Sequence, residues 1–317
     1  MKTLNFKFSK LALMVALVGS AFFSSCKKDN DVQENLSIAD IVAADDNFSL
    51  LETALNHAQL TGTLKGEGNF TLFAPNNAAF AAAGLDTDAK ITAMSAETLK
   101  QILLYHVLPN RTPASAIPTA SNTAVATSAN ANVFVTKNAN GVFVNGATVL
   151  TADVNAKNGV VHIINRVLMP ASGNIVQAAQ ANANFSFLVA AITRASQGST
   201  NVAQVLSGTG PFTVFAPTNQ AFINAGFTTI ASIQAASPAT LTNILTYHVI
   251  AGRVLSSDLT EGAMPTTVQG GKVTISLTGG AKVKGLGNTT SSNITTTNVI
   301  TTNGVIHAID QVLLPGI

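Results

Sequence analysis

Asn69-Phe70-Thr71-Leu72-Phe73-Ala74-Pro75-Asn76-Asn77-Ala78-Ala79-Phe80 returns 142 residues later as Pro211-Phe212-Thr213-Val214-Phe215-Ala216-Pro217-Thr218-Asn219-Gln220-Ala221-Phe222. At the same offset Tyr105-His106-Val107 returns as Tyr247-His248-Val249, each closed four residues on by an arginine, Arg111 and Arg253. A third pair, Asn158-Gly159-Val160-Val161-His162 and Asn303-Gly304-Val305-Ile306-His307, lies 145 residues apart and runs on to Pro170 and Pro315. Three blocks in one order, with nearly constant gaps, mean a duplicated unit. Solenoid repeats have periods of roughly 20–50 residues, so a unit of this length is a complete domain with its own core.

Inside each unit the punctuation is clear. Phe70–Phe73 and Phe212–Phe215 read as short apolar strands stopped by Ala-Pro. Asn76 and Thr218 follow as caps of a helical turn carrying Phe80 and Phe222. Ser95 and Ser237 are N-cap candidates for the next helix, and Pro238 takes a first-turn position where its missing N–H costs nothing. Leu99, Ile102, Leu103 and His106 then form one stripe at i, i+3, i+4, i+7, matched by Leu241, Ile244, Leu245 and His248. Each unit opens with a helical pattern, Ile41, Phe48, Leu51 and Leu55 or Ile175, Phe185, Leu188 and Ile192. Hairpin signals follow at Val133–Val135 and Val142–Val144 with Asn145-Gly146, and at Val273–Ile275 and Val283. A last strand starts at the Asn-Gly pair and runs from Val160 to Leu168, or Val305 to Leu313; apolar on both faces, it must be buried on both sides. Helices and strands mix without regular βαβ alternation, which gives an α+β fold in two tandem domains, 37–170 and 171–317. Only Ala171–Asn174 separate them, a reach of about 14 Å, so the domains must nearly touch.

These blocks resemble the fasciclin-type (FAS1) domain family: Thr-x-Phe-Ala-Pro-x-Asn-x-Ala-Phe, a Tyr-His pair, and a closing Asn-Gly-x-x-His-x-Ile-Asp-x-Val-Leu-x-Pro segment. The second copy matches all three, Asp310 included; the first has Asn165 where an aspartate is usual, so a salt bridge there can form in the second domain only. The resemblance covers roughly residues 37–317. It implies a β-sheet wedge or sandwich with several packed helices in each copy, and an extracellular role in adhesion and matrix binding rather than catalysis. In animal members adhesion is associated with the Tyr-His pair and its aliphatic neighbours, here Val107-Leu108 and Val249-Ile250. The helical stripe instead places His106 and His248 in packing, with Tyr105 and Tyr247 beside them.

The first 25 residues read as a signal peptide: Lys2, Lys7 and Lys10, a 13-residue apolar run Leu11–Phe23, then Ser24-Ser25. The run is short of the ~20 residues that span a bilayer. Cys26, the sole cysteine, stands at the cleavage point, and the segment resembles a bacterial lipoprotein signal in which that cysteine carries the lipid. Phe23 and Ser25 replace the usual leucine and glycine or alanine. Lys28 and Asp29 complete a Cys-x-Lys-acidic tetrad that resembles an export signal to the outer face of the cell; an ordinary charged linker is the other reading. Residues 26–36 form a polar tether. Several acyl chains make a durable anchor, at about 0.8 kcal/mol per buried methylene. The expected location is thus the outer membrane, exposed at the surface or facing the periplasm, with membrane contact through the lipid alone. With Cys26 modified no disulfide is available.

Charge excludes more than it assigns. Charged residues are 10% of the chain, against about 25% in ordinary domains. Without residues 1–25 the balance falls from 17 − 15 to 14 − 15, or −1. No basic patch exists, so nucleic acid is not an expected partner. The solvated face must be Thr, Asn, Ser and Ala, as in Thr289-Thr290-Ser291-Ser292-Asn293. His106, His248, His162 and His307 repeat, but no carboxylate repeats beside them: Asp153 aligns with Asn298, and Asp258 with Ala116. They read as core histidines rather than catalytic or metal ligands, and no catalytic residue, metal or cofactor is expected. Nucleophile-elbow, zincin, P-loop and dinucleotide motifs are missing from the sequence. Two functions remain: a non-enzymatic adhesion or interaction module for an envelope or matrix protein, and a polysaccharide-binding accessory in nutrient capture. With no tryptophan and only two tyrosines, pyranose stacking is poorly served.

Overall fold

The structure, a computed structural model, describes residues 35–316. The signal segment 1–25, Cys26, Lys28 and Asp29, and all but the end of the 26–36 tether lie outside the described residues. The first domain runs α1 (Ile38–Ala44), α2 (Ser49–His57), α3 (Thr61–Lys65), β1 (Phe70–Pro75), α4 (Asn77–Ala82), α5 (Asp88–Thr92), α6 (Ala96–Tyr105), β2 (Val107–Leu108), β3 (Thr123–Ala126), β4 (Asn132–Asn138), β5 (Gly141–Val144), β6 (Ala147–Ala156) and β7 (Gly159–Ile164). The second runs α7 (Ile175–Gln180), α8 (Ser186–Ala195), α9 (Val202–Ser207), β8 (Phe212–Pro217), α10 (Asn219–Asn224), α11 (Ile230–Ala235), α12 (Pro238–Tyr247), β9 (Val249–Ala251), β10 (Val273–Ser276), β11 (Lys282–Gly285), β12 (Ser292–Thr301) and β13 (Gly304–Ile309).

The opening helical pattern is not one helix. Asp45 leaves the helical region (φ −117°, ψ 113°) and its carboxylate accepts from the Asn47 N–H at 2.9 Å, starting a 3-10 turn, Asp46–Phe48, before α2. Asn182 does the same before Ala183–Phe185. A short side chain that captures a nearby backbone donor competes with helix continuation, and here it wins. The other caps follow expectation. Asn76 accepts from Ala79 N–H at 2.9 Å, Thr218 from Ala221 N–H at 3.3 Å, and Ser95 from Thr98 N–H at 3.1 Å. Ser237 makes no side-chain cap bond, although Pro238 does take the first turn.

Each sheet is organised around a parallel pair from opposite ends of its domain. In the first, the order is β2-β1-β7-β6-β5-β4-β3, with β1 and β7 parallel in the register Phe70↔Gly159 to Pro75↔Ile164. In the second, the order is β10-β11-β12-β13-β8-β9, with Phe212↔Gly304 to Pro217↔Ile309. The sheets curl until their far ends meet: Ser128 N–H, just beyond β3, donates to Val107 O at 2.8 Å, and Val268 N–H to Val249 O at 2.7 Å.

A curled sheet has two apolar faces. Outside it, α1–α6 bury Leu51, Phe80, Leu99 and Leu103 with Leu72, Ala74 and Val161. Within the curl lie Phe73, Tyr105, Val133, Val135, Val144 and Ile164. The second domain divides likewise, with Phe215, Tyr247, Val273, Ile275 and Ile309 inside. The middle strands stand between two cores, which is why β7 and β13 are apolar on both faces. They are shorter than expected. Both leave the sheet after Ile164 and Ile309, because the next stretch turns away to meet the helix side of the domain.

Candidate functional site

The three repeated blocks converge on one buried residue in each domain. Phe73 in β1 donates its N–H to His106 O at 2.9 Å and is the register partner of His162 in β7, whose ring centroid lies 5.7 Å from its own. Phe215 repeats this with His248 O at 3.0 Å and His307 at 5.8 Å. Burying each phenyl contributes ~2–3 kcal/mol. The motifs are linked in sequence because they form a single knot.

His106 is the C-cap residue following α6 rather than part of it, and it is fully buried. Leu168 N–H, which can only donate, reaches Nε2 at 2.8 Å; Nδ1 must therefore carry the hydrogen and donate it to Ile102 O, also at 2.8 Å. Leu313 N–H and Ile244 O hold His248 at the same distances. These bonds tie the chain leaving β7 or β13 to the end of the helix. His162 and His307 take the opposite tautomer. Asp153 and Asn298 N–H donate to their Nδ1 atoms at 3.2 and 3.3 Å, and Nε2–H donates to Thr112 O and Val254 O at 2.9 Å each. All four rings are at most 1% exposed. Burial pushes His106, His248 and His307 from the usual 6.5 down to about 4, against the weaker upward pull of the carbonyls they bond.

The motif tyrosines are equally enclosed. Tyr105 OH donates to Asn132 O at 2.8 Å and accepts from Asn145 Nδ2 at 2.9 Å; Tyr247 OH donates to Lys272 O at 2.5 Å and accepts from Leu286 N–H at 2.9 Å. Burial raises the Tyr105 pKa above 10 despite the Asn145 bond. Val107, Leu108, Val249 and Ile250 are 2–6% exposed. The Tyr-His pair and its aliphatic neighbours thus offer a partner no surface in this conformation. The void that His248 lines is about 10 Å³, room for one water-sized group.

Among the described residues Asp310 pairs with no cation. Its carboxylate accepts from Ser292 Oγ at 2.9 Å, Asn293 N–H at 2.8 Å and Asn293 Nδ2 at 2.6 Å. Desolvation pulls its pKa up, but these donors together outweigh it and hold the group below 3.8. Asn165 makes the equivalent backbone bond, accepting from Thr148 N–H at 2.8 Å, which explains how the first domain does without the charge.

Sequence reasoning missed two sets of residues. Asn158 was read only as a turn residue, yet it is 3% exposed, accepts from Ile38 N–H at 2.9 Å and donates to Leu64 O and Gly66 O at 2.8 and 2.7 Å. Asn303 repeats all three bonds with Ile175, Leu206 and Gly208. Recurrence of the asparagine together with its glycine was the available signal. A Cβ on Gly159 or Gly304 would fall 2.1 Å from the carbonyl oxygen of Phe70 or Phe212, so only glycine lets the parallel strands meet there. The second set is Asp153 and Asn298, left-handed residues (φ 60° and 62°) at the bulges of β6 and β12. Besides their backbone bonds to the histidines, they accept from Ala114 and Ser256 N–H at 2.8 Å. A carboxylate and an amide are interchangeable in that role.

Among the described residues, no three His, Cys, Asp or Glu side chains group as metal ligands, and no helix is long and apolar enough to cross a membrane. The fold and the knot together define a tandem pair of structurally self-contained α+β modules. The fasciclin domain matches residues 46–170 and 183–315, and the chain belongs to that family. It is 38% identical over 136 residues to protein sll1483 of Synechocystis, covering 43% of this chain and 74% of that one. It is 29% identical over 260 residues to the transforming growth factor-beta-induced protein ig-h3 of Sus scrofa, and 30% identical over 272 residues to human periostin. Each of these two alignments covers 81% of this chain but only 36% and 30% of the relative, about a third of its length. A solved FAS1 domain pair from the insect cell adhesion molecule fasciclin I aligns with 86% of this chain and 95% of that one, at 20% identity and a TM-score of 0.40.

Proposed function

We propose that this chain is a non-enzymatic adhesion or interaction module of a bacterial envelope, made of domains 37–170 and 171–317 and carried on a lipid at Cys26 after loss of residues 1–25. The single observation behind this reading is that the repeated histidines and tyrosines of the family motifs are all internal, with their ring nitrogens and hydroxyls bonded to the domain's own backbone and side chains. Such groups serve as fasteners. Lys28 and Asp29 would direct the anchored protein outward, and residues 26–36 would hold the domains off the membrane.

Contact with a partner then falls to the outer surface. Of the large apolar side chains that are exposed, Leu150 and Met169 belong to the first domain; Val205, Ile223, Ile230, Met264, Val268, Leu277, Leu286 and Leu314 belong to the second. The richer surface is on the domain farther from the tether. It contains no aromatic residue, which serves sugar stacking poorly and so lowers the polysaccharide reading, while the same scarcity keeps protein hot spots weak. Binding by each module is weak and is multiplied by display of many copies on one membrane. The test compares soluble protein with protein displayed on liposomes against envelope extracts and a glycan panel. Tighter apparent binding of the displayed form to a protein component supports the reading. Equal affinity of both forms, or capture by glycans alone, refutes it. Protease shaving of intact cells tests the outward location.

A further inference from the structure

The seam between the domains is asymmetric in a way the duplication does not require. Arg253 lays its guanidinium over the Phe134 ring of the first domain, Cζ 3.7 Å from the centroid. Asn122 Nδ2 donates to Arg253 O at 2.9 Å and to Asp258 Oδ2 at 2.8 Å; Thr136 Oγ donates to Asp258 Oδ1 at 2.9 Å; Asn138 Nδ2 donates to Ser257 O at 3.1 Å. A loop of the second domain, residues 253–258, is thus gripped by the β3–β5 end of the first.

Neither half of this contact survives in the other copy. Arg111 occupies the place of Arg253, but it folds back on its own domain, donating to Gly159 O and Asn155 Oδ1 at 2.7 Å each. Asn155 corresponds to Ile300, so Arg253 has no such amide to hold; within its own domain it keeps a long 3.5 Å bond to Thr301 O, and its guanidinium reaches across to Phe134. Ala116 stands where Asp258 does, each ending a 3-10 turn. On the gripping side the tyrosine bonds align Asn132 with Lys272, which places Thr274, Ser276 and Thr278 where Phe134, Thr136 and Asn138 are. The second domain therefore lacks the aromatic platform and the long amide.

We propose that the two copies have diverged into a socket, Asn122, Phe134, Thr136 and Asn138, and a plug, Arg253 with Asp258, which lock the modules into one rigid body. A head-to-tail contact that repeats on every copy propagates from chain to chain. Here the plug-bearing domain has no socket and the socket-bearing domain has no plug. The contact closes within one chain, and both modules face a partner at a fixed spacing, so the second engagement carries a smaller ordering cost.

The test uses the full chain with Cys26→Ser and spin labels on cysteines at Lys100 and Ala231, both exposed. Pulsed electron resonance should give one narrow interlabel distance. Arg253→Ala with Asp258→Ala should at least double its width, and so should Asn122→Ala with Thr136→Val, which removes contacts from the other side. Arg111→Ala should leave the width unchanged. Circular dichroism of each variant separates loss of the lock from loss of fold. A broad distance in the parent, or an unchanged width in both folded double variants, overturns the lock. Concentration-dependent polymers in sedimentation overturn its closure.

Discussion

Acid should weaken this protein well before its carboxylates titrate, and replacing His248 by glutamine should blunt the effect. Burial holds His106, His248 and His307 near 4 in the folded chain, against 6.5 for an ordinary histidine. The folded pKa is the lower one, so between these values the unfolded chain binds more protons. Stability is present in full above about 6.5 and is lost as pH falls toward 4. From pH 7 to pH 5 each ring contributes a loss of about 2 kcal/mol, so the three together contribute about 6. These sites are essentially dry, so solvent screening does not reduce the figure. Glutamine at position 248 can donate to Ile244 O and accept from Leu313 N–H but does not titrate. His248→Gln should cost about 1–3 kcal/mol at pH 7 through imperfect bonds, while its loss between pH 7 and 5 shrinks by about 2 kcal/mol. Urea unfolding at the two pH values, followed by circular dichroism, measures both. If the parent loses under 1 kcal/mol, or His248→Gln keeps the parent's full pH dependence, the histidines are not held neutral by burial.

Three further outcomes follow from individual contacts. Asn158→Ala leaves Ile38 N–H, Leu64 O and Gly66 O without a protein partner and should destabilise the first domain by about 3–5 kcal/mol, with Asn303→Ala doing the same to the second; thermal unfolding of each variant checks this. Gly159→Ala should abolish cooperative unfolding of the first domain, since its methyl falls on the Phe70 carbonyl, and hydrogen exchange should show β1 and β7 losing protection together. Asp310→Asn should cost only about 1 kcal/mol at pH 7 because Asn165 already performs that role next door. The depressed Asp310 carboxyl lends stability above pH 3.8 that is lost as pH falls further, so the variant and parent should converge in strong acid.

Much of this architecture was readable because it was repeated. Phe73, His106 and His162 recur at fixed offsets as Phe215, His248 and His307, and residues tied into one knot cannot drift apart in sequence. The stripe Leu99, Ile102 and Leu103 and the doubly apolar β7 were legible because local periodicity reports burial directly. The break at Asp45 was not, since a pattern of apolar residues is blind to a side chain that captures its neighbour's N–H. Nor was the parallel partnership of β1 and β7, which joins residues some 90 positions apart and leaves no local trace. The bulges at Asp153 and Asn298 were hidden because a carboxylate and an amide do one job there, which erased the repeat that would have exposed them. Arg253 and Asp258 escaped for a related reason: their roles lie in how the copies differ.

The asparagine clasp has a bearing on how each module is made. Asn158 joins Ile38 across 120 residues, and Asn303 joins Ile175 across 128. Each fastens the first turn of its domain to the start of the last strand to be synthesised. Until that strand emerges, neither face of the curled sheet has its central member, and the earlier helices lack the part of their packing surface that it supplies, Val161 among it. Contacts this distant along the chain form slowly. Each half is thus assembled only at its end, and a nascent chain stopped anywhere short of it holds apolar segments with nothing to close over them.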